Sequence, residues 1–135
     1  MRAELDAIEA LMGATYTIYS DRVPASPTMP YLILWSSTGA PSPEVSVLGE
    51  ISSIEASVGV TAVSLSKRVA LTALERMRAA LNPGGLPKTL TVAGRHAVLR
   101  LHDSLPVSED TSVTFVGGTH PMSGVDLYRI VSTPA

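Results

Sequence analysis

Between residues 54 and 62 the chain alternates. Ile54, Ala56, Val58, Val60 and Ala62 are apolar, and Glu55, Ser57, Gly59 and Thr61 between them are polar or small. A period of two marks a strand with one buried face. At Ser64 the period changes. Val69, Ala70, Ala73, Leu74, Met77 and Leu81 recur at helical spacing, which predicts a helix over residues 65–81. Ser64 or Ser66 is placed to cap it by accepting from the free N–H groups of the first turn. Arg76 and Arg78 suit its C-terminal end, and Asn82-Pro83-Gly84-Gly85 stops it. Val69, Leu74, Met77 and Leu81 would each gain roughly 1.5–3 kcal/mol on burial, so the helix is expected to lie against a sheet that contains the preceding strand.

The rest of the chain supplies the remaining elements. Arg2–Met12 reads as a short amphipathic helix, with Leu5, Ile8, Leu11 and Met12 to one side and Gly13 as its C-terminal cap. Residues 15–19 are rich in strand formers and predict a first strand. Pro24, Pro27 and Pro30 make residues 21–30 an extended connection. Tyr31-Leu32-Ile33-Leu34-Trp35 is apolar at every position, the pattern of a central strand buried on both faces. Residues 36–50 are broken by Gly39, Pro41, Pro43 and Gly49 and read as a long loop, with a short irregular strand at 45–48. Residues 89–92 and 96–101 flank Ala93-Gly94-Arg95 as a hairpin. Residues 103–123 are a second broken stretch with an edge strand at 111–116, and 125–131 form the last strand. The prediction is a single α+β domain over residues 1–135. Its sheet is mainly antiparallel or mixed, with five or six strands, a common size, and two helices pack on one face.

Composition narrows the function. The chain has 135 residues, 45% of them apolar, enough for a real core, and only 16% are charged. The low charge leaves two readings open, a surface partly covered by other subunits and a merely neutral one. A net charge of −2 and only two lysines, Lys67 and Lys88, give no basic patch for tight nucleic-acid binding. With no cysteine there is no disulfide, thiolate metal site or cysteine nucleophile. No apolar run reaches the ~20 residues of a membrane helix, so no membrane partner is expected. Glu4, Asp6 and Glu9 do not suit a signal peptide.

No motif carries catalytic chemistry. His96, His102 and His120 stand in no metal-binding spacing and read as surface or structural residues. His102 beside Asp103 could orient an imidazole, but no serine sits in a nucleophile elbow. Gly117-Gly118-Thr119 and Asn82-Pro83-Gly84-Gly85 lack the phosphate-loop lysine and read as turns. No catalytic residue, cofactor or metal is therefore assigned.

Three features together resemble the tail terminator (tail completion, tail-to-head joining) proteins of long-tailed bacteriophages. The first is a short helix with a proline-rich link into Met29-Pro30-Tyr31-Leu32-Ile33-Leu34-Trp35. The second is the strand-to-helix unit around Gly59-Val60-Thr61-Ala62-Val63. The third is the closing segment from His120-Pro121-Met122 through Asp126-Leu127-Tyr128-Arg129 to Pro134, which is similar to versions from actinobacteriophages. The resemblance covers nearly the whole chain in order of elements.

It implies a non-enzymatic virion protein at the head-proximal end of the tail, assembled in the host cytoplasm. Such proteins form a homo-hexameric ring on the tail tube protein, end tube growth and meet the connector or stopper. DNA touches them only in passage through the channel. Alternatives are another neck component, stopper or adaptor, or a small enzyme with its site in residues 102–123. A closed ring needs two different surfaces per subunit. The candidates are the polar face of the long strand (Ser53, Glu55, Ser57, Thr61) with loop 36–50, and the segment 103–123 with exposed Arg95 and Arg100. The interface residues expected are Glu44, Leu48, Glu50, Glu55, Arg68, Arg95 and Arg100. Glu55 is the sole charge on its strand. It is either solvated or paired with Arg68 or Arg100 of a neighbouring subunit.

Overall fold

The computed structural model describes residues 2–20, 23–25, 27–37, 40–41, 54–111, 114 and 118–134. Two helices, α1 (Arg2–Met12) and α2 (Lys67–Leu81), pack on one face of a curled mixed sheet. Its strands are β1 (Thr17–Tyr19), β2 (Tyr31–Ser36), β3 (Ala40–Pro41), β4 (Ile54–Ser64), β5 (Lys88–Val92), β6 (Arg95–Glu109) and β7 (Met122–Pro134). Six of them run in the order β1-β2-β4-β7-β6-β5, and β3 pairs with the start of β4. Only β1 and β2 are parallel; every other pair is antiparallel. The α+β class, the strand number and the one-sided helices are those the hydrophobic pattern predicts.

Alternation along β4 becomes a two-faced layer. Ala56, Val58, Val60 and Ala62 turn toward the helices together with Leu32 and Leu34 of β2, Leu99 of β6, and Tyr128 and Ile130 of β7, all buried. From the helices, Ile8, Met12, Ala70, Ala73, Leu74, Met77 and Leu81 fill the space above them. Gly124 lets the layers approach. A Cβ there would lie 2.6 Å from Val107 Cγ2 and 3.1 Å from Leu74 Cδ1, so α2 and the bulged part of β6 close over a bare backbone.

Four local expectations change. Tyr31-Leu32-Ile33-Leu34-Trp35 is not central: β2 lies one strand from the edge, and the centre belongs to β4 and β7. Trp35 is accordingly 39% exposed. Val69 faces water rather than the core, because the buried stripe of α2 runs through Ala70, Ala73, Leu74, Met77 and Leu81. Ser66 is the N-cap residue but makes no side-chain cap; Ser64 Oγ instead accepts from the Ser66 N–H at 3.2 Å. The segment expected to break at Asp103 continues as β6 to Glu109. Pro106 is tolerated there because the strand runs along the sheet edge and its register shifts between Leu105 and Ser108, where no ladder bond is required of it. The expected strands at 45–48 and 111–116 lie wholly or largely outside the described residues. The hairpin stands as predicted, with Gly94 at φ +73°.

Candidate functional site

The sheet has two unlike faces, and its charged groups divide between them. On the helix side, α2 projects Arg78 onto β7. Its Nε donates to Asp126 Oδ2 at 2.6 Å and its Nη2 to Asp126 Oδ1 at 2.7 Å, a bidentate pair. Asp126 is fully buried, whereas the Arg78 side chain is 38% exposed. Ser104 of β6 adds a hydrogen bond to Asp126 Oδ1 at 2.8 Å. The hydrogen bond to Asp126 raises the Arg78 pKa. Tyr128, next along the same face, is buried and its hydroxyl has no hydrogen-bond partner among the described residues. Burial, and then the Asp126 charge, push its ionisation far upward.

A second inward cluster anchors α1. Ser132 Oγ donates to Glu4 Oε1 at 2.9 Å and accepts from Arg95 Nε at 2.7 Å, and Arg95 Nη2 donates to the Ser132 carbonyl at 3.0 Å. Arg95 Nε is 3.5 Å from Glu4 Oε1. Burial by itself would raise the Glu4 carboxyl. Its own backbone N–H and the Ser132 hydroxyl outweigh that and hold it below its ordinary value. Arg95 is therefore not an exposed surface arginine as expected: it is half-buried and turned inward, because it stands beside the hairpin turn opposite Pro134 with Ser132 within reach.

The other face carries no helix. Val98 and Leu105 of β6 and Val131 of β7 are exposed on it, with Leu127 and Val125 half-buried between them. Trp35 lies flat on Gly59, where a Cβ would overlap the indole, and its Nε1 donates to Thr61 Oγ1 at 3.1 Å. The charges here are Glu55, Arg129, Arg100 and Asp103. Glu55 Oε1 is 3.0 Å from Arg129 Nη1. The partner expected in a neighbouring subunit, Arg68 or Arg100, is thus supplied within the chain by Arg129, which the β4–β7 register sets two positions along on the same face, opposite Ser57. Arg100 is exposed and opposite Arg129. Arg68 is exposed at the start of α2, on the far layer. Glu44, Leu48 and Glu50 lie outside the described residues.

Among the described residues the two expected ring surfaces therefore share one face in part. Glu55, Ser57 and Thr61 share one face with Arg100 and Leu105. At one end of this face a cleft of about 340 Å³ opens between Tyr31, Ile33, Thr61 and Val63 below and Pro24, Pro27 and Pro121 at its rim. Burial, then the neighbouring Tyr19 and Asp110, raise the Tyr31 phenol. Of the segment 102–123 that held the enzyme alternative, Asp110, Pro121 and Ser123 line this cleft, whereas His102 and Asp103 do not. His102 is exposed at a bulge, and Asp103 Oδ1 accepts from the Ser104 N–H at 2.8 Å. Among the described residues no three His, Asp or Glu side chains gather as a metal site, and no helix is long and apolar enough to cross a membrane.

No protein-family model matches the chain, and no curated protein is similar to it in sequence. Among solved structures, one whose name states no role superposes over 96% of this chain and 91% of its own at a TM-score of 0.52 and 14% identity. That likeness is one of fold.

Proposed function

We propose that this protein is a ring-forming structural subunit of a phage tail neck, of the tail terminator kind. The observation that carries the reading is the helix-free face of the sheet. Val98, Leu105, Val131 and Trp35 stay exposed there beside Arg100 and the Glu55–Arg129 pair. An apolar face with a few charges is what an assembly subunit hides against its neighbour. The order of elements, helix, proline-rich link, long strand into helix, hairpin and closing strand, is the order in the family it resembles.

A head-to-tail ring needs a second, different surface. The exposed flank of α2 supplies it, with Leu65, Val69 and Leu71 open to solvent around Arg68. In this arrangement the open sheet face of one subunit meets the start of α2 of the next. The tail tube protein and the head connector or stopper contact the two rims of the ring, and DNA passes through it.

The test replaces Val98 by Lys and Val131 by Asp, an opposite-charge pair in direct register. Purified protein should keep its helix and strand signals, because both side chains already face water. Phage carrying the pair should make tails of irregular, excessive length that fail to join heads. Uniform tails joined to heads would overturn the assignment of this face.

A further inference from the structure

Among the described residues the sheet ends at β5, whose edge is built differently from the distal half of β6. Beyond its pairing with β5, the distal half of β6 is guarded. The Asn82 side chain reaches the Leu101 N–H at 3.4 Å, the register shifts twice, and Pro106 interrupts it. These are the devices by which natural sheets refuse another strand. β5 has no proline and no bulge, and its only charge is Lys88 at its start.

Hairpin geometry says which of its groups are free. The turn holds two residues, Ala93 and Gly94, so Val92 and Arg95 form a hydrogen-bonded pair and the two kinds of pair alternate from there. Leu90 and Lys88 therefore bond to β6, while the N–H and C=O groups of Thr89 and Thr91 point away from the sheet. Alongside runs a groove of about 340 Å³, walled by Ala7, Ala10 and Leu11 of α1 and floored by Lys88, Thr89, Leu90 and Thr91.

We propose that this edge takes the β5 strand of a second copy, in antiparallel two-fold pairing centred on Leu90. The edge is complementary to itself. With Leu90 opposite Leu90 of the other copy, each Thr89 faces a Thr91, so the outward-pointing groups of both strands meet as hydrogen-bonded pairs. The threonine side chains then pair across the strands on the helix-free face. Lys88 falls opposite Val92 of the other copy, which keeps the two lysines apart. Ala7 and Ala10 present only small side chains to the groove beside this edge. The contact is two-fold, hence distinct from a head-to-tail ring contact, and does not rest on the ring reading.

Sedimentation velocity over a range of concentrations tests it. The wild-type protein should pass from monomer to dimer. Thr91→Pro removes an outward N–H from each copy without removing a β5–β6 bond, and should weaken the dimer about tenfold or more, the loss of two hydrogen bonds across the two-fold axis. Ala10→Glu, on the solvent side of α1, should weaken it while leaving the fold unchanged. Amide exchange in the wild-type protein provides a measurement that needs no variant: the Thr89 and Thr91 N–H groups should slow as concentration rises. A wild-type protein that is monomeric throughout would overturn the proposal. So would a dimer indifferent to Ala10→Glu, or exchange at Thr89 and Thr91 that concentration does not change.

Discussion

Two side chains on the helix side of the sheet show opposite consequences of burial. Tyr128 is closed off from water with its hydroxyl unmatched among the described residues, and an unmet buried hydroxyl is a cost. Tyr128→Phe keeps the ring and removes that cost, so it should stabilise the protein by about 1 kcal/mol in denaturant melts; a loss of stability would mean that the hydroxyl has a partner. Glu4 is also buried, but it is met by Ser132 and lies near Arg95. Its carboxyl is lowered from an ordinary value of 4.5, so the folded state holds its proton less tightly than the unfolded state does. The stability it contributes is complete above that ordinary value and is lost as pH falls through the lower, folded one. Melting temperature should therefore decline with acid over that window. Glu4→Gln should reduce the slope there and lower stability at neutral pH.

At the scale of elements, α2 separates a buried side from an open one within five residues. Leu74 is buried above Gly124, whereas Val69 is exposed. Leu74→Asp places an unpaired charge against the sheet and should unfold the domain. Val69→Asp should cost less than about 0.5 kcal/mol, the usual range for a surface site. Circular dichroism during heating separates the two, and equal loss in both would contradict the assigned helix face.

The same contrast marks what was legible in advance. Periods of two and of 3.6 identified β4, α2, α1 and the hairpin, because each is a local pattern with its own punctuation. The role of Val69, the outer position of β2 and the partner of Glu55 depend on which strand lies beside which. Antiparallel register between residues 74 positions apart leaves no local trace, so Arg129 could not be paired with Glu55 from spacing. The inward turn of Arg95 was hidden likewise, since Ser132 and Glu4 come to it from opposite ends of the chain. Pro106 misled for the reverse reason: it is a strong local signal, overridden at a bulged edge.

For the whole molecule, the proposed assembly surface draws on the polar side of β4 and on the residues just before it in sequence. The described core is assembled from the helices and the inner sides of β2, β4, β5, β6 and β7, and residues 42–50 lie outside the described residues. Loop-closure cost grows slowly with length, so shortening the stretch 36–50 while keeping Ser36, Ser37 and the β3 pairing to β4 should leave the melting temperature within a few degrees of wild type. Ser37 is kept because its N–H donates to the Ser57 carbonyl at 2.9 Å and its Oγ accepts from the Ser57 N–H at 3.1 Å. If the stretch holding Glu44, Leu48 and Glu50 touches the tube or closes the ring, the shortened protein should fold normally yet fail in the particle. Electron microscopy of phage carrying the deletion should then find tails of uneven length and heads without tails. Tails of normal, uniform length joined to heads would remove these three residues from the assembly surface and leave the helix-free face and the α2 flank to form it.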